Sequence, residues 1–349
     1  TQHSPIAVRV PADKEVIAKA HEAGVRAIVH VNYSELCNSE VQKELGRQPS
    51  RTDEATPAGL LDLAEHPEWT CIASDGTERQ CAHAVGVSST CFHQAELRNN
   101  ALTQVLNIMN LGADGIWIDR AGPPLECYGP RFDKHKHEGP YDTNTAASEA
   151  LYSQIYKLVK SFGEDKIVIH SSGILPSHWA YCDAQVCEGL PFHPVSDDGP
   201  IGEWAELQCF AAEREAAIRA GKVAMIVPRM MHRSTTRAIL YSHAYAALHG
   251  LLFCLPTATV GTDITGDSVE RLRLGKPESG ILKTGDVLYR FFANGIVVLN
   301  PTRIPASVSV PVDRDGTFSN IGYNRTVTSS NRSLALDLAP ESGCVLLRR

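Results

Sequence analysis

The segment GADGIWIDR, residues 112–120, carries an aspartate, Asp119, directly after the apolar triplet Ile116, Trp117 and Ile118. An unbroken apolar run of this kind reads as a strand buried on both faces. Asp119 therefore falls at the strand's C-terminal end. The segment AQVCE, residues 184–188, repeats the arrangement with Glu188 at its end, whereas Asp183 begins the same strand and falls at the opposite end. Two carboxylates delivered to one mouth have a defined chemistry, the breaking of a glycosidic bond. One stays ionised to meet an oxocarbenium-like carbon, and the other is held protonated to donate to the leaving oxygen. The competing reading makes both structural, with Asp119 paired to Arg120 and Glu188 bridged at the rim.

Other side chains of the right type follow the strands or lie in the long loops. Asn32 and Tyr33 follow the strand at 26–31, His170 with Ser171 and Ser172 ends the strand at 166–170, and Arg229 follows the strand at 223–227. Hydroxyls of a sugar would be bound by Asn32, Arg120 and His170, and a sugar ring would stack on Tyr33, Trp69, Trp117, Tyr128 or Trp179. For each of these aromatics, burial in the core is the alternative. The loop after Asp119 holds Cys127, His135 and His137. An HxH pair near a thiol is a metal-ligand pattern, and a metal-dependent hydrolase built on His135 and His137 is one alternative function. The metal-dependent hydrolases place HxH at the end of the first barrel strand, so here substrate contact is the favoured role and no metal or other cofactor is expected. Cys187 points to the strand face opposite Glu188 and is a poor nucleophile candidate.

These groups need a scaffold, and the chain repeats one unit: amphipathic helix, glycine, apolar strand. Helices are predicted over 13–23, 101–111, 145–162, 204–220 and 236–249, each ending at a glycine, with strands at 26–31, 114–119, 166–170, 223–227 and 251–255. Apolar residues at i, i+3 and i+4 make the stripe, and glycine accepts the left-handed terminus without a Cβ clash. Such alternation gives an α/β architecture, and polar residues after nearly every strand point to a (β/α)8 TIM-type barrel over 1–280. No GxGxxG follows a strand, which removes a dinucleotide-binding sheet. Adding 6–10 and 184–187 gives seven strands; the eighth is expected upstream or within 60–95. Long insertions span 38–95 and 121–144. From about residue 281 to 349 the helical period gives way to short alternating strands with turn residues between them, a small antiparallel β domain.

Composition bounds the function classes. The 349 residues are 43% hydrophobic and 21% charged, an ordinary globular balance that excludes disordered and fibrous classes. A net charge of −7 gives no basic surface for a phosphate backbone, so nucleic acid is not an expected partner. No apolar stretch approaches the roughly 20 residues of a membrane span, so no membrane partner is expected either. The 10 cysteines form no CxxC pair, and several sit in apolar runs, which favours a reducing, cytoplasmic setting. The first residue, Thr1, leads to the expectation of a processed or trimmed chain.

The strand ending at Asp119, the later strand ending at Glu188 and the final β region together resemble barrel-type glycoside hydrolases with a C-terminal β-sandwich. More distantly they resemble the retaining α-glycosidases. The segments YRFFANGIVVLNP, residues 289–301, and PESGCVLL, residues 340–347, are similar to the C-terminal sandwich of that group. In the retaining α-glycosidases the nucleophile is an aspartate at the end of the fourth strand and a later strand carries the acid/base, so the resemblance implies a carbohydrate substrate, Asp119 as nucleophile and Glu188 as acid/base. A catalytically silent carbohydrate-binding barrel is the other alternative.

Overall fold

The computed structural model describes residues 8–10, 12–37, 61–63, 65–81, 86–171, 176–188, 204–227, 236–253, 274–321 and 325–349. The chain divides into two compact units, Thr1–Gln185 and Val186–Arg349.

In the first unit, parallel strands β1 (Val8–Val10), β2 (Ala27–Asn32), β6 (Gly115–Asp119) and β7 (Ile167–Ser171) lie in that order, joined through helices α1 (Lys14–Glu22), α2 (Ala95–Asn110) and α3 (Asn144–Lys160). Three short strands make a separate small sheet: β3 (Glu35–Cys37) lies between β4 (Leu61–Asp62) and β5 (Val87–Ser89). The described part of 60–95 thus builds this side sheet and contributes no strand to the parallel one. Strand β8 (Ala184–Glu188) crosses the boundary between the units.

Parallel register gives the sheet two distinct faces. Val29, Ile116 and Val168 align across the strands, as do Val31, Ile118 and His170. The apolar members of these rows pack on Ile17 of α1, Leu97 and Val105 of α2, and Leu151 and Ile155 of α3, forming one core. Each such side chain contributes about 1.5–3 kcal/mol through burial. The alternate rows face the other way: His30 beside Trp117, and Asn32 beside Asp119. Gly24 and Gly112 end α1 and α2 with φ at 72° and 98°, the left-handed conformation that glycine adopts without penalty. The first turn of α2 starts six residues before the predicted Ala101, at Ala95. Its free amide is met from a distant loop, with the Ala95 N–H donating to Glu138 at 2.9 Å.

The second unit continues from the end of β8 with α4 (Trp204–Arg219), β9 (Val223–Val227), α5 (Thr236–His249) and β10 (Leu252–Phe253), β9 and β10 pairing in parallel. Antiparallel strands begin at Leu282. A six-stranded sheet has the order β11 (Leu282–Thr284), β12 (Val287–Phe292), β13 (Gly295–Asn300), β18 (Ser342–Arg348), β15 (Thr317–Ile321), β16 (Arg325–Thr328); β14 (Ala306–Pro311) pairs with β17 (Ser333–Leu338). The central strands are buried on both faces. Val297, Leu299 and Val345 pack with Leu207 of α4 and Tyr241 and Tyr245 of α5. Ile296, Val298 and Leu346 pack with Val310, Leu334 and Leu336 of the two-stranded sheet, which makes a sandwich. A Cβ on Gly343 would sit 2.5 Å from the Leu240 carbonyl oxygen, so glycine there lets β18 lie directly against α5. Among the described residues no helix is long and apolar enough to cross a membrane.

Candidate functional site

The C-terminal ends of β2 and β6 set Asn32 beside Asp119 as their last paired residues, and β7, paired with β6 through Ile118 and His170, brings the Ser171 hydroxyl to Asp119. Asp119 keeps 23% of its side chain exposed. Its Oδ2 lies 3.5 Å from Nε2 of His30, which is buried on the same sheet face one pleat earlier. Burial alone would push the Asp119 carboxyl up. The His30 hydrogen bond and charge, the Arg120 charge and the Ser171 hydroxyl outweigh it and hold the carboxyl below the usual range. An ionised carboxylate that water and a ligand can reach suits a nucleophile or a general base, not an acid.

The turn after Asp119 is strained. Arg120 has φ at 49°, a left-handed conformation costing about 1 kcal/mol for a residue with a Cβ. The Arg120 N–H donates to Asp119 Oδ1 at 2.9 Å, and its carbonyl accepts from the Ser34 hydroxyl at 2.8 Å. The Arg120 guanidinium turns to Glu35, with Nε 2.8 Å from Oε1, and Asn32 donates to the other Glu35 oxygen at 2.9 Å. Glu35 thus occupies the arginine and the amide beside Asp119 and leaves the aspartate's outer edge exposed.

The predicted site residues separate into groups. Asn32, Trp117, Asp119 and Arg120 come together, and Trp117 meets His30 edge-on at 6.3 Å between centroids. Tyr33 is fully buried in the helix-side core, its hydroxyl 3.5 Å from the Ala101 carbonyl. His170 also lies on the helix side, 5.3 Å from the Tyr152 ring and 5.9 Å from His178. Its burial, and secondarily His178, push its pKa down to about 3, so it is neutral. Tyr128 is exposed in the loop after β6. Glu188 ends β8, its side chain outside the described residues, and Arg229 lies outside them altogether. Cys127, His135 and His137 gather in a second cluster with Cys91. Asp183 serves structure: it accepts from the Val168 N–H at 2.9 Å and pairs with Lys160 at 3.0 Å.

Sequence reasoning passed over His30 and Glu35. The alternation in AIVHVN carries the signal for the first, since His30 and Asn32 are the polar members of one strand face. Nothing local marks Glu35.

No family model matches the chain, and no curated protein matches it by sequence. Solved structures do match. A noncanonic maltogenic α-amylase from Thermotoga neapolitana aligns over 96% of this chain and 80% of its own, with TM-score 0.51 and 11% identity. A GH27 β-L-arabinopyranosidase from Geobacillus stearothermophilus aligns over 96% and 77%, with TM-score 0.55 and 9% identity. An α-amylase from Lactobacillus plantarum aligns over 95% and 80%, with TM-score 0.52 and 12% identity. The fold of this chain is thus similar to the folds of these glycoside hydrolases.

Proposed function

We propose that the protein is a glycoside hydrolase acting on an oligosaccharide, polysaccharide or glycoside, with Asp119 as nucleophile and Glu188 as acid/base. The observation that carries this reading is the ionised, partly exposed Asp119 at a parallel strand's C-terminal end, held by His30 and flanked by a strained turn. In α/β barrels catalytic groups sit at that end of the strands. The likeness to amylases and an arabinopyranosidase supports a carbohydrate substrate and a (β/α)8 arrangement over 1–280, followed by a β-sandwich domain over 281–349.

In this mechanism Asp119 attacks the anomeric carbon while Glu188 protonates the departing oxygen. Glu188 then takes a proton from the water that releases the sugar, so the configuration is retained. Trp117 supplies an apolar wall beside the nucleophile, and Arg120 and Asn32 stay fixed on Glu35. An NMR time course on a cleaved glycoside tests the assignment. The first hemiacetal should keep the anomeric configuration of the substrate. An inverted first product would make Asp119 a general base and defeat the proposed roles.

A further inference from the structure

The cluster around Cys127 does not take part in the proposed cleavage chemistry, and its composition is that of a metal site. One ligand atom from each of Cys91, Cys127, His135 and His137 lies within 4.8 Å of the other three. Cys127 Sγ and His135 Nε2 are 3.3 Å apart, close to the edge of about 3.6 Å that a tetrahedron with zinc–sulfur and zinc–nitrogen bonds requires. His137 Nε2 is buried and has no hydrogen-bond partner among the described residues. An orphaned buried imidazole nitrogen costs free energy unless something ligates or bonds it.

Each ligand is held by contacts of its own. The Cys91 N–H donates to the Trp69 carbonyl at 2.7 Å. The Ile72 N–H donates to Cys127 Sγ at 3.3 Å, and the Tyr128 N–H returns to the Ile72 carbonyl at 2.9 Å. A Cβ on Gly129 would collide with the His135 ring, so the backbone there lies directly against the imidazole. Lys136, between the two histidines, accepts at its carbonyl from the Gln94 amide at 2.9 Å. The His93 ring stacks on His137 at 3.8 Å and 3°. Such outer contacts orient ligands in known metal sites.

We propose that Cys91, Cys127, His135 and His137 bind one zinc ion as a closed structural site that ties the 121–143 loop to the segment before α2. Two thiolates with two imidazoles suit zinc over hard, oxygen-seeking cations, and four protein ligands leave no open position for chemistry. Binding releases the two thiol protons to solvent and leaves a neutral site. Cys71, with its Sγ 3.5 Å from the Glu126 carbonyl oxygen, stays outside the ligand set and supports Cys127.

Elemental analysis of the reduced full-length chain, purified without chelators and dialysed against zinc, should give one zinc per chain. Cobalt replacement should give the intense visible bands of tetrahedral cobalt with thiolate charge transfer. Cys127→Ser and His137→Gln should each lower zinc affinity by at least about a hundredfold, while Cys71→Ser keeps the metal. Only trace zinc in the wild type, or an octahedral cobalt spectrum, would overturn the site. Loss of zinc in Cys71→Ser with retention in His137→Gln would overturn the ligand set. Because the readout is metal content and spectrum, the result does not depend on glycosidase activity.

Discussion

Replacing Asp114 by asparagine should cost stability while leaving the chemistry intact, because the two ends of β6 serve different purposes. Asp114 Oδ2 accepts from the Ala27 N–H at 2.9 Å and lies 2.8 Å from His21 Nε2, and Oδ1 accepts from Lys166 at 3.1 Å. Asparagine keeps one acceptor and turns an NH2 toward a donor, so one charge-assisted hydrogen bond is lost. Such a bond is worth about 1.5–3 kcal/mol, and the partial exposure of His21 and Lys166 places it near the low end, about 1.5–2 kcal/mol. For a unit the size of Thr1–Gln185 this lowers Tm by roughly 3–8 °C. Burial pushes the Asp114 carboxyl up, but the Ala27 N–H, His21 and Lys166 outweigh it and hold it below the ordinary range. A depressed folded value means that the stabilisation is complete above about pH 4 and disappears as pH falls through that value. Circular dichroism melts of both proteins should therefore differ at pH 7 and draw together as the pH falls below about 4. Equal melting at pH 7, or a gap that persists in acid, would refute the reasoning.

Two further outcomes follow from the site and the sheet face behind it. His30→Gln removes the imidazole whose hydrogen bond and charge lower the Asp119 carboxyl, so the acidic limb of kcat/KM should move to higher pH while Tm changes little; an unmoved limb would separate His30 from the Asp119 carboxyl. His170 is neutral when folded, at about 3, against 6.5 unfolded, so stability falls as pH drops through that window by up to about 1.4 kcal/mol per unit. His170→Phe should flatten the pH dependence of Tm between about pH 7 and pH 5, and an unchanged slope would contradict this placement.

The position of Asp119 was legible because the apolar run before it fixes both strand and end. The repeat of helix, glycine and strand was legible for the same reason: burial imposes a period. Tyr33 and His170 show the limit of that reasoning. Both follow or end strands, yet strand alternation turns positions 29, 31 and 33, and likewise 168 and 170, toward the helices, so a place at a strand end does not decide which face a residue takes. The early start of α2 was hidden although Ala95, Glu96, Leu97 and Arg98 are strong helix formers, because Asn99 and Asn100 after them interrupt the helical pattern and the cap comes from Glu138 in another loop. In the second cluster Cys127, His135 and His137 were legible as a metal-ligand pattern, whereas Cys91 was hidden, since it meets them only through the chain's tertiary path and no CxxC spacing announces it.

The central claim is that Asp119 is the nucleophile of a glycosidase, and paired assays of wild type and Asp119→Asn on a panel of chromogenic glycosides and natural oligosaccharides test it most directly. The amide keeps the shape of the carboxylate and removes its charge. The wild type should turn over at least one substrate, and the variant should lose that activity by at least about a thousandfold with Tm close to wild type. A variant that keeps more than about a tenth of the wild-type rate, or a wild type that binds sugars and cleaves none, would contradict the claim.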